Sequence, residues 1–289
     1  MSLTGYFDQQ FKSIEAQIDM AKQLDIKGLS LRYFNDQTLL TVDTNLVKEL
    51  PVRLKKEKMS ILLIDALYHY PLVTINKNEL STLFSNAEAL GTKYLVLNLP
   101  SMTSFDLQHD DLITHVKSLL DETKKKHFEL VFKVSPEHAV GQIAYIINEI
   151  KNIKFVFDAP LIYKQGASVT TSYRILKNNI QILSIYDVDK QHEPYLLGLG
   201  ASSIVDILKK AHRDKYKGIY VMDNNLNTYI EHRKEIYQQK KVLWIFSKNK
   251  KERLHYQRMD QKLHIKDTDE LSLFDMHKVY LAVIKKIIE

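Results

Sequence analysis

LSTLFSNAEALGTKYLVLNL, residues 80–99, carries the unit from which the rest of the chain is read. Leu80, Leu83, Phe84, Ala87 and Leu90 fall three or four apart, the spacing of a helix with one apolar face. Gly91 stands where a helix ends in a left-handed residue, and residues 94–99 form a short run rich in branched and aromatic side chains, as a buried strand does. Outward from this unit the same order recurs about every thirty residues. Strand-like runs lie at 3–7 (the weakest), 28–33, 60–66, 94–99, 128–134, 153–158, 180–186 and 218–222. Helical stripes separate them, such as Ile14, Ile18, Ala21 and Leu24, or Ile204, Ile207 and Leu208. Ser135-Pro136 reads as N-cap and first turn of one helix, and Ser202 or Ser203 as the cap of another. Parallel strands joined through helices cross over right-handedly, so eight such units predict a closed (β/α)8 TIM barrel, class α/β. An open doubly wound sheet is the alternative.

The length of 289 residues suits one such barrel of about 250 residues plus an extension. The rhythm stops after Gln239, which divides the chain into a barrel over 1–239 and a C-terminal extension over 240–289. In the extension a short strand is expected at 241–246, a basic helix at 250–261 and an amphipathic helix at 271–288, packing onto the same chain or serving self-association as a homo-oligomer. Cysteine is absent, which excludes disulfides, thiolate metal sites and a thiol nucleophile. No apolar run reaches the length of a membrane span and no secretory signal pattern opens the chain, so the expected location is cytoplasmic. The net charge of +6 is spread thinly. Its densest part brackets Trp244, with Lys240, Lys241, Lys248, Lys250, Lys251, Arg253 and Arg258, and reads as a solvated face; neither nucleic acid nor membrane is an expected partner.

Four segments together resemble the xylose-isomerase-like barrels, a superfamily of sugar isomerases and epimerases that includes endonuclease IV. They are AKQLDIKGLSLR at 21–32, AEALGTKYLVL at 87–97, VFDAP at 156–160, and the pair LGLG at 197–200 with YKGIY at 216–220. The resemblance spans residues 8–235. It implies a divalent metal ion at the C-terminal mouth, held by glutamate, aspartate, histidine and glutamate from strands five to eight, and proton transfer between adjacent carbons through an enediolate. Matched position by position, the fifth-strand ligand becomes Lys133, the sixth remains Asp158, the seventh becomes Ser184 and the eighth Met222. A histidine ending strand four becomes Asn98 and a second-strand glutamate Ser30. This departure implies that the usual metal mechanism is altered or lost and that no cofactor is needed, since serine and methionine are poor ligands for a hard ion and an ammonium repels one. If strand eight is shifted by one residue, Asp223 faces inward instead. Asp158, Asp187 and Asp223 then form the alternative set for a Mn, Zn or Mg ion.

Strand alternation places Arg32, Asp65, Asn98, Lys133 and Asp158 at comparable C-terminal positions, an anion or polyol pocket. Tyr68, His69, Glu137, His138, Tyr163, Ser184 and Asp187 are further candidate contacts to a carbohydrate-like ligand. Lys133 and Asp158 are the candidate catalytic pair. Lys133 would supply the charge of the missing metal, or, with a lowered pKa, act as a base or Schiff-base amine; an inert Lys133–Asp158 ion pair explains the same residues. The Gly198-Leu199-Gly200 turn ahead of a helix could cradle a phosphate, or be a plain turn. The sequence thus predicts a divergent sugar or sugar-phosphate isomerase or epimerase, or alternatively a non-catalytic binding or scaffold protein that has kept the barrel. Phosphodiester cleavage of the endonuclease IV kind is disfavoured, because it needs a histidine-rich metal cluster that the matched positions lack.

Overall fold

A computed structural model describes residues 2–67, 75–100, 105–134, 138–223, 226–238, 249–266 and 270–288. Eight parallel strands close into a barrel: β1 Ser2–Gly5, β2 Gly28–Leu31, β3 Ser60–Ile64, β4 Tyr94–Asn98, β5 Glu129–Lys133, β6 Phe155–Asp158, β7 Ile180–Ile185 and β8 Ile219–Met222. The closing contact is made by the weakest strand in sequence. β1 pairs with β8 over Ser2↔Ile219 to Gly5↔Met222 and with β2 over Thr4↔Gly28 and Gly5↔Leu29. Closure removes both sheet edges, which an open sheet would leave exposed.

Outside the strands lie α1 Ile14–Gln23, α2 Thr44–Val47, α3 Glu49–Lys56, α4 Lys77–Ala89, α5 Phe105–Thr123, α6 Val140–Glu149, α7 Ala159–Lys164, α8 Val169–Leu176, α9 Ile204–Arg213 and α10 Leu226–Gln238. Helix α4 buries Leu83, Phe84 and Ala87, is opened by a capping box between Asn76 and Glu79, and ends before Gly91 at φ +60°. These devices satisfy the orphan N–H groups at its start and turn the chain toward β4 at its end. The capping expected at α9 takes another form. Ser203 holds the N-cap position in a left-handed conformation without a side-chain cap, and the Ser202 hydroxyl is used elsewhere. Residues 135–137, including the expected Ser135-Pro136 cap, lie outside the described residues.

Two apolar layers follow from the period-two alternation of the strands. One fills the barrel interior with Tyr6, Leu63, Tyr94, Val96, Val131, Val156, Ile182, Ile219 and Val221. The alternate residues, among them Leu31, Leu95, Leu97, Phe132, Phe157, Leu183, Ile185 and Met222, join the layer between strands and helices.

The tail consists of α11 Asn249–Leu263 and α12 Leu273–Ile288; the strand expected at 241–246, with Trp244, lies outside the described residues. Met276, Tyr280 and Ile284 of α12 are fully buried, and the helix packs on α9 and α10. It also reaches the loops at the C-terminal ends of the strands. The Tyr280 hydroxyl donates to the Tyr195 carbonyl (2.6 Å), and the His277 ring bonds Gln10 Oε1 (3.0 Å) and meets Phe7 edge-on. Burial holds His277 neutral, its pKa lowered to about 4. No helix among the described residues is long and apolar enough to cross a membrane.

Candidate functional site

Inward-facing residues continue past the apolar filling by the same step of two, so each strand delivers one polar side chain to the C-terminal mouth. From Tyr6 the step leads to Asp8, from Ser30 to Arg32, from Leu63 to Asp65 and from Val96 to Asn98. From Val131 it leads to Lys133, from Val156 to Asp158, from Ile182 to Ser184 and from Val221 to Asp223. Asp223, and not Met222, is therefore the inward residue of β8; Met222 packs in the outer layer. Beneath the ring, Thr4 bonds the Gly28 carbonyl (2.8 Å) and the Ser30 hydroxyl (2.9 Å), which ties β1 to β2.

The ring carries four carboxylates and two cations, and its centre of charge is Arg32. The side chain is 1% exposed and lies among three carboxylates from three strands: Asp223 at 2.6 Å, Asp8 at 3.5 Å and Asp65 at 4.0 Å. Its guanidinium also stacks on the Tyr6 ring, 3.8 Å from the centroid. Burial opposes the charge, yet Asp223 and Asp8 outweigh it and hold the arginine pKa above its ordinary value. Burial pushes the Asp8 pKa up, and Arg32 only partly offsets this.

Lys133 forms its ion pair with Asp65, at 3.6 Å, rather than with Asp158 as the sequence led us to expect. Burial works against its charge as well, but Asp65 and then Asp223 raise its pKa above that of ordinary lysine. The carboxylates around the amine favour its charged form, which weighs against a base or Schiff-base role. Asp158 caps α7, accepting from the Leu161 N–H (2.9 Å) and the Tyr186 hydroxyl (2.8 Å) through Oδ1. Burial raises its pKa, while Lys133 is the strongest influence lowering it. Asp65 Oδ1 is buried without a hydrogen-bond partner among the described residues.

Asp187 does not face this ring. Its Oδ2 accepts the N–H groups of Gly198 (3.0 Å) and Gly200 (3.1 Å), and Oδ1 accepts from Val188 N, Ser202 N and Ser202 Oγ. A Cβ on Gly200 would fall 2.4 Å from Asp187 Oδ1, so glycine is required for the carboxylate to enter the turn. The glycine turn read as a phosphate cradle is filled by the chain's own anion.

Around the rim, Asn98 donates to the Leu67 carbonyl (2.7 Å) and the buried His138 ring bonds the Pro100 carbonyl (3.0 Å). Tyr163 lies beside His192, with ring centroids 5.3 Å apart. Ser184 stands on β7 beside Asp158, in register across the strand pair. Tyr68, His69 and Glu137 lie outside the described residues. Sequence reasoning missed Tyr6, Asp8 and Tyr186. The first two were accessible by extending the alternation Thr4, Tyr6, Asp8 beyond the short first strand. Among the described residues, no three acidic or imidazole side chains are gathered as a metal site.

No family model and no curated protein matches the sequence. Solved structures of xylose isomerase-like barrels share the fold. D-psicose 3-epimerase from Clostridium cellulolyticum H10, solved with D-tagatose, superposes over 100% of both chains at TM-score 0.66 and 11% identity. A probable 3-DHS dehydratase from Bacillus anthracis covers 77% of this chain and 92% of its own, at TM-score 0.62 and 13% identity. A 3-keto-D-glucoside 4-epimerase from E. coli covers 78% and 92%, at TM-score 0.61 and 13% identity.

Proposed function

We propose that the mouth binds a polyol, sugar or sugar phosphate, and that the chain is a divergent isomerase- or epimerase-like barrel whose divalent-metal chemistry is altered or lost. The observation that carries this reading is the ring of eight inward polar side chains, one from each strand, at the end of the barrel where such folds place their sites. Asp65 Oδ1 is a buried acceptor that a ligand hydroxyl would satisfy. Lys133, 17% exposed, is the more accessible of the two cations and would hydrogen-bond a carbonyl or phosphate oxygen. In a reacting complex Asp158, with its raised pKa, would take the proton from the carbon beside the carbonyl and return it to the former carbonyl carbon, while the Lys133 ammonium gives a proton to the carbonyl oxygen and regains one from the neighbouring hydroxyl. Structural neighbours acting on sugars, including one solved with D-tagatose, support the ligand class.

A non-catalytic binding or scaffold role is the second reading, supported by Arg32 being sealed among carboxylates at 1% exposure. Lys133→Met separates the two. On the first reading its Tm stays within a few degrees of the parent's, while affinity for the best ligand of a panel of ketohexoses and their phosphates falls at least about tenfold, the equivalent of about 1.4 kcal/mol. Unchanged affinity in a folded variant removes Lys133 from the site, and no binding by the parent leaves the scaffold reading.

A further inference from the structure

We infer that Arg32 is the resident cation of the mouth, a chain-borne charge among Asp8, Asp65 and Asp223 that leaves these acids unavailable to a divalent ion. The donor set does not fit such an ion. Asp223, the inward acid of β8, is 2.6 Å from the Arg32 guanidinium, and Asp8 and Asp65 lie at 3.5 and 4.0 Å around the same group. Asp65 also faces the Lys133 ammonium, whose charge extends to Asp158. An incoming divalent ion would have to displace a guanidinium and then tolerate an ammonium beside it. The protein-borne cation has the advantages a metal site lacks here. It is tethered, it lies within ion-pair reach of the carboxylates that follow β1, β3 and β8, and the Tyr6 face at 3.8 Å stabilises it without adding an anion.

This inference does not rest on the proposed sugar ligand, because its test reads the cation and not the ligand. Parent protein and Arg32→Ala are compared by thermal unfolding in EDTA, in Mn2+, Co2+ or Mg2+, and in low millimolar guanidinium chloride. The parent's Tm is expected to be indifferent to all of these. Arg32→Ala leaves three buried carboxylates without their cation, and its Tm is expected to fall by roughly 5–10 °C, with millimolar guanidinium recovering a measurable part by binding the vacated space. Stoichiometric binding of a divalent ion by the parent, abolished in Asp158→Asn or Asp223→Asn, overturns the inference. So does an Arg32→Ala protein as stable as the parent and unresponsive to guanidinium. If Arg32→Ala does not fold, calorimetric titration of the parent with Mn2+ decides alone, an equimolar site being the contradicting result and no heat of binding the expected one.

Discussion

Asp187→Ala is expected to lower the unfolding free energy by about 3 kcal/mol or more, because it removes charged acceptors from several buried donors at once. Five hydrogen bonds converge on this carboxylate, four of them from backbone N–H groups of Val188, Gly198, Gly200 and Ser202. Alanine leaves those donors facing a void that Gly198, at φ +82°, and Gly200 were selected to frame. Asp187→Asn does not repair the loss, since its amide nitrogen would confront N–H groups where a second oxygen is needed. Denaturant unfolding of the two variants and the parent measures the effect. Equal midpoints would show that the turn is held by something other than this side chain.

The second large effect lies in the tail. Arg233 of α10 makes a bidentate pair with Asp260 of α11, Nε to Oδ1 at 2.9 Å and Nη2 to Oδ2 at 2.9 Å, with both side chains at most 5% exposed. The Tyr237 hydroxyl bonds the same carboxylate, and Arg233 also donates to the Lys266 carbonyl (3.0 Å). Arg233→Met strands a buried aspartate and is expected to cost about 3–5 kcal/mol, while the double variant Arg233→Met with Asp260→Leu recovers most of it. Hydrogen exchange is the informative readout. Protection should fall first in residues 249–266 with the barrel strands unchanged, as expected when one cooperative unit loosens before the whole. Simultaneous loss of protection in β1–β8 would show that the tail and barrel unfold as one.

The barrel was legible because its signal is periodic: eight apolar runs, each bounded by turn residues and followed by a helical stripe, constrain one another even where a single run such as β1 is weak. The mouth was legible only strand by strand. A one-residue shift moves a side chain to the other face, and β8 offers Met222 and Asp223 side by side, so sequence could not rank them. Pairing was less accessible still. Lys133 was matched to Asp158, yet Asp65 on β3 is its partner, because which carboxylate a four-carbon arm meets depends on three-dimensional reach across the barrel. Arg32 was recognised as a member of the ring but not as its centre, since the three carboxylates around it come from positions 8, 65 and 223. Glycines at 198 and 200 signalled a turn, but the phosphate read into it is replaced by the Asp187 carboxylate, whose reach into the turn eleven to thirteen residues away no local spacing shows.

Calorimetric titration of the parent protein in EDTA with neutral ketohexoses, D-tagatose among them, and with sugar phosphates bears most directly on the idea of a mouth that takes an oxygen-rich ligand using its own cations. Saturable binding of at least one of these compounds at about one per chain, weakened in Lys133→Met, is the predicted result. Binding that vanishes in EDTA and returns with Mn2+ would contradict it.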